Sequence, residues 1–100
     1  MARRLIVRPL AEADLDDAGR WYEEEQPGLS RQFLSDVDRT FGRVRERPFQ
    51  FPAVTRDVRR ALLHAFPYAV YFRPSDHTVA VLAVLHLRRN PDIWRASVRS

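Results

Sequence analysis

The chain has no cysteine, no lysine, only three glycines and no long apolar run. Without cysteine there is no disulfide, no thiol nucleophile and no zinc site built on thiolates. The glycines stand apart at 19, 28 and 42, so no Gly-rich loop cradles a phosphate, and no serine sits in a hydrolase-type elbow. The histidines, at 64, 77 and 86, lack the helical spacing of a metal pair. A bilayer-spanning helix needs about 20 apolar residues. The longest run, Val79 to Leu85, falls far short. Arg3 and Arg4 precede only Leu5-Ile6-Val7, where a secretory leader needs roughly 7–15 apolar residues. The expectation is a cytoplasmic protein without metal or cofactor. One hundred residues suit one domain, 1–100, with one core.

The charge is distinctive. All 17 basic side chains are arginine, against 13 acids, for a net charge of +4. The isoelectric point near 10.6 lies above the ~9 typical of nucleic-acid-binding domains. Arginine grips phosphate and carboxylate bidentately, although a GC-rich genome also writes arginine for lysine. The distribution is polarised. Seven acids lie between Glu12 and Glu25 against the single base Arg20, whereas eight arginines follow from Arg56 onward against Asp57, Asp76 and Asp92. A basic C-terminal half points to an anionic or acidic partner.

Periodicity outlines the fold. Leu5-Ile6-Val7 reads as a strand closed by Pro9. Ala11, Leu15, Ala18 and Tyr22 then recur at three- and four-residue steps, which predicts an amphipathic helix broken by Pro27-Gly28. Leu29, Phe33, Val37, Phe41 and Val44 predict a second helix ending at Pro48. The short break between the two favours an antiparallel helical hairpin, with Trp21, Tyr22, Phe33 and Phe41 in the core. Val58 to Ala65 alternates as a strand, and Tyr68 to Arg73 and Thr78 to Leu85 form a hairpin across Pro74-Ser75-Asp76-His77. The run 79–85 is apolar on both faces, as a central strand is. The expected fold is α+β, ordered β-α-α-β-β-β, with the helical hairpin packed on a small, mostly antiparallel sheet.

The chemistry gathers on that sheet. The second strand brings Arg56, Arg59, Arg60 and His64, the hairpin brings Arg73, and the end of the last strand brings His86, Arg88 and Arg89. If these converge, the arginines can bind a phosphodiester and stabilise charge developing on it, while a histidine serves as general acid or base. That is the material of a metal-independent ribonuclease. A plain docking surface for an acidic partner uses the same residues. Tyr68 is placed either to stack a base or to pack at the sheet. Trp94, in a turn begun by Pro91, either anchors the tail or meets a partner.

Taken in order, the opening strand, the hairpin AEADLDDAGRWYEEEQPGLSRQFLSDVDRT, the segment ERPFQFP, Phe66-Pro67-Tyr68-Ala69-Val70-Tyr71-Phe72 and the ending His86-x-Arg88-Arg89-Asn90-Pro91 resemble the RelE/ParE superfamily of type II toxin–antitoxin toxins. The resemblance spans nearly the whole chain. It implies a small basic toxin neutralised by a cognate antitoxin that folds over it. It also implies one of two activities. ParE-like members inhibit DNA gyrase without being nucleases, whereas RelE-like members cleave mRNA on the ribosome. The nuclease branch often carries an arginine entering the third strand, where this chain has Tyr68, and a tyrosine after the last strand, where it has Leu87 and Trp94. The ParE-like, plasmid-stabilisation reading is therefore favoured. In the nuclease alternative His86, Arg88 and Arg89 would be catalytic. In either case Arg56, Arg59, Arg60, His64, Tyr68, Arg73 and Trp94 are the expected binding residues for antitoxin, target or RNA.

Overall fold

A computed structural model describes residues 2–88 of the chain. The elements are β1 (Arg4–Val7), α1 (Pro9–Glu25), α2 (Leu29–Glu46), a 3-10 turn (Pro48–Gln50), β2 (Arg59–Leu62), β3 (Tyr68–Pro74) and β4 (Thr78–His86). The order is the expected one, and the four strands form one mixed sheet in the order β1-β4-β3-β2. Strand β1 runs parallel to β4, with Leu5 opposite Val79 and Val7 opposite Val81, while the β2–β3 and β3–β4 pairs are antiparallel. β4 is an interior strand, which accounts for its apolar character on both faces.

Proline fixes the start of α1. Pro9 holds the first helical position, where its missing N–H costs nothing and its φ is already helical. Gly28 ends the hairpin break with φ +90, a conformation that side chains with a Cβ disfavour. Having no side chain, Gly28 cannot cap α2, and Glu23 of α1 does so instead. Its carboxylate accepts the Gly28 N–H at 3.1 Å, the Ser30 N–H at 3.3 Å and the Ser30 hydroxyl at 2.7 Å. An acid at a helix N-terminus also meets the positive end of the helix dipole. The hydrogen bonds hold the Glu23 carboxyl below its ordinary pKa, the Ser30 hydroxyl being the largest cause.

The helices bury their apolar stripes on one sheet face. Ala11, Ala18 and Tyr22 of α1 and Phe33, Val37, Phe41 and Val44 of α2 meet Ala61, Tyr68, Val70, Phe72, Val79, Val81 and Val84. A second, smaller cluster on the opposite face joins Val58, Ala69, Tyr71, Leu82 and Ala83, with no helical member. Trp21 is the exception to the expected core. It stands on the α1 surface, 42% exposed, with its ring edge-on to buried Tyr22 at 5.0 Å. Trp21 and Tyr22 are adjacent on the helix, about 100° apart, so only one of them can point at the sheet.

A β-bulge decides which way the end of β4 faces. Tyr71 lies opposite Ala83, but Phe72 lies opposite Val81, leaving Leu82 as the extra residue. Before the bulge Val79 and Val81 face the helices, and after it Val84 does. Strict alternation from Val79 would have turned Val84 and His86 to the other face.

Candidate functional site

His86 is thereby placed opposite Tyr68 on the helical face, with ring centroids 5.1 Å apart and nearly perpendicular. Its Nδ1 accepts the backbone N–H of Arg88 at 3.1 Å, which leaves Nε2 as the atom able to donate. The Leu87 N–H donates to the Pro67 carbonyl at 2.9 Å and ties this end of β4 to the approach of β3. Tyr68 is only 4% exposed, packed against Phe33 at 5.2 Å, Tyr22 at 6.0 Å and His86. Stacking on a base requires an open ring face, so Tyr68 serves here as the aromatic floor beneath His86. Arg88 is exposed. Arg89 and Trp94 lie outside the described residues.

The remaining cationic residues do not join this group. Arg73 is five residues along β3 from Tyr68, roughly 17 Å at ~3.4 Å per residue. It faces the side away from the helices and pairs with Asp57, Nε to Oδ2 3.1 Å, without the geometry of a hydrogen bond. Arg59, opposite Phe72, lies at the same far end but on the helical face. Its Nη1 donates to the Phe51 carbonyl at 2.6 Å, and its guanidinium stacks on Phe49 at 5.0 Å. Arg60 is opposite Tyr71 on the outer face. Arg56 is exposed in the loop before β2. The expected convergence is therefore corrected: two ends and two faces of the sheet separate these arginines from His86, because alternation and strand length disperse residues that sequence proximity groups together.

Arginine also collects where no site was expected. Arg3 stacks on Phe49 at 5.2 Å, and its Nε donates to the Ser75 carbonyl at 2.7 Å. Arg45 Nε donates to the Arg3 carbonyl at 3.1 Å, and Arg43 donates to the Leu62 carbonyl at 3.1 Å while lying over Phe51. These guanidiniums tie strand and loop carbonyls to the end of α2, which is a structural use of the arginine excess.

Two acids overlooked by sequence reasoning order the surroundings. Asp36 of α2 is 6% exposed, and its carboxylate accepts the His64 N–H at 3.1 Å and the Ala65 N–H at 2.7 Å. That fixes the β2–β3 connection, with exposed His64 beside it. Asp14 of α1 accepts the Val84 N–H at 2.9 Å, beyond the point where β1 stops pairing with β4. Its partial burial pushes its pKa up, opposed by the Val84 N–H and assisted by Asp17. Acids at helix positions read as solvated from sequence, and only the partner across the fold distinguishes them. Among the described residues no three His, Asp or Glu side chains gather closely enough to hold a metal ion, and no helix is long and apolar enough to cross a membrane.

Residues 5–91 match the family model described as ParE toxin of type II toxin–antitoxin system, parDE. The chain belongs to the ParE toxin family. Toxin ParE2 of Mycobacterium tuberculosis, in each of two strains, is 31% identical over 99 residues, covering 98% of this chain and 94% of that toxin. Among solved structures, the chromosomal ParDE system from P. aeruginosa superposes with a TM-score of 0.75 at 20% identity, over 85% of this chain and 96% of that one. A free, substituted form of the E. coli toxin RelE gives 0.62 at 16% identity, over 99% and 97%. The toxin–antitoxin complex RelBE2 from Mycobacterium tuberculosis gives 0.60 at 20% identity, over 86% and 99%. The structural likenesses establish the two-helix, four-strand fold, and the family match establishes a ParE-type toxin of a type II toxin–antitoxin system.

Proposed function

We propose that this ParE-type toxin works in the cytoplasm as a single domain, arresting growth by binding DNA gyrase without cutting nucleic acid, and that a cognate antitoxin neutralises it. The observation that carries the non-catalytic reading is the dispersal of the cationic residues. A phosphoryl-transfer site needs its acid, its base and its charge stabilisers within hydrogen-bond reach of one reacting phosphate. Arg73 and Arg59 sit roughly 17 and 14 Å, respectively, along the sheet from the Tyr68–His86 pair. Each is already engaged, with Asp57 or with the Phe51 carbonyl. Arginines dispersed in this way suit a broad docking surface. The antitoxin partner is supported by family membership and by relatives solved as the ParDE system and the RelBE2 toxin–antitoxin complex.

The test is a short induction of the toxin in cells lacking the antitoxin, following DNA synthesis and mRNA integrity together. An early halt in DNA synthesis with intact mRNA, unchanged in rate by His86→Ala, is the expected result. Rapid cleavage of translated mRNA, abolished by His86→Ala, would instead identify a ribosome-dependent endoribonuclease with His86 and Arg88 in its active site. Loss of a general acid or base typically costs about 10²–10⁴-fold.

A further inference from the structure

A groove of about 370 Å³ runs between α2 and the β2–β3 connection, lined by Arg31, Gln32, Ser35, Arg39, His64 and Phe66 over the Asp36 carboxylate. Its walls are rigid. Asp36 is committed to the His64 and Ala65 amides, and Phe66 packs edge-on against Tyr22 at 4.9 Å and Phe33 at 5.4 Å. The polar side chains around it are held by no bond, Arg31 having only the electrostatic pull of Glu23. Those of Arg31, Gln32, Ser35, Arg39 and His64 form no hydrogen bond or ion pair among the described residues, whereas Arg43, Arg45, Arg59 and Arg73 do. Residues 31, 35 and 39 recur every fourth position, so the two guanidiniums and the serine lie on one stripe of α2.

We infer that this groove binds a mixed acidic and apolar peptide segment of the cognate antitoxin. The inference rests on the antitoxin partnership proposed above. Arg31 and Arg39 are eight residues apart, roughly 12 Å along the helix at ~1.5 Å per residue. Acidic side chains four residues apart on an extended peptide, about 13 Å, match that spacing, and so do those two turns apart on a helix, about 11 Å. Half-buried Phe66 adds an apolar wall to the groove. A nucleic acid strand fits less well. It carries a negative charge on every nucleotide, whereas the groove's Arg31 end is near the acid Glu23 of α1, which interacts electrostatically with Arg31. A peptide can place acids only where the guanidiniums are.

The experiment is isothermal titration calorimetry of the full toxin against its purified antitoxin, at low and high salt. The toxin forms compared are wild type, Arg31→Glu with Arg39→Glu, and Ser35→Trp. The last fills the groove without altering its charge, and all three positions are exposed or half-buried without bonds that the fold needs. The charge-reversed toxin should lose about 10- to 100-fold in affinity and most of its salt dependence. Ser35→Trp should lose at least about tenfold with its salt dependence intact. If wild type binds tightly and both variants stay within twofold of it, the groove assignment is wrong and the antitoxin reading survives. If wild type itself does not bind, both fall. Circular dichroism checks the variants, and if the charge-reversed form does not fold, Ser35→Trp decides alone.

Discussion

Replacing Asp36 by alanine is the sharpest test of how the fold is held. The carboxylate lies 6% exposed on α2 and accepts two backbone N–H groups from His64 and Ala65, nearly thirty positions along the chain. Hydrogen bonds to a charged acceptor contribute about 1.5–3 kcal/mol each, and the two amides would be left partly buried without partners. Sharing one acceptor makes the pair less than additive, so the gross loss is about 3–5 kcal/mol. Alanine returns roughly 0.5 kcal/mol as the better helix former. The net loss, about 2.5–4.5 kcal/mol, is a large share of the ~5–15 kcal/mol by which domains are usually stable. At about 4–8 °C per kcal/mol for a chain of this size, the melting temperature should fall by roughly 10–35 °C. Asp36→Asn keeps one acceptor oxygen and should lose about half as much. Paired thermal and urea melts measure both variants. An Asp36→Ala protein within about 1 kcal/mol of wild type would refute the tether.

Three further outcomes follow from the same contacts. Phe33→Ala empties the centre of the aromatic cluster formed with Tyr22, Phe66 and Tyr68, and should cost about 3–5 kcal/mol in urea unfolding, while a loss under 1 would show that the cluster repacks. Gly28→Ala meets no atom within 4 Å, so its cost is that of the backbone at φ +90 alone, about 1 kcal/mol, and a neutral result would mean that the connection relaxes. Asp14 has its native pKa raised above 3.8, so its ionised form is disfavoured by folding, and stability from this group is lost as pH rises from below 3.8 through the raised native value. Asp14→Asn keeps an acceptor for the Val84 N–H without the charge. The stability of wild type relative to this variant should therefore decline between about pH 3 and pH 7, and a flat difference would contradict the burial effect.

How much was legible beforehand differs by element. Helices α1 and α2, with buried Ala18, Tyr22, Phe33, Val37 and Phe41, follow from apolar spacing, because burial on one face leaves a helical period in the sequence. The central position of β4 was readable from its two-sided apolar run. The position of Trp21 was not, since aromatic character alone does not say which of two adjacent residues faces the sheet. The groove on α2 left no sequence signal either. Arg31 and Arg39 read as solvated helix charges until the β2–β3 connection is folded against them.

Composition and periodicity thus determined the β-α-α-β-β-β order, the basic character and the absence of cysteine chemistry, since each depends only on which residues occur and how they are spaced. The tertiary structure alone decided where the charges act. One extra residue, Leu82, turns His86 toward Tyr68 and the helices, and five residues of extended strand hold Arg73 away from it. A two-residue period carries no mark of a bulge, and sequence neighbours on strands part by about 3.4 Å per step to alternate faces, so grouping in the chain did not become grouping in space.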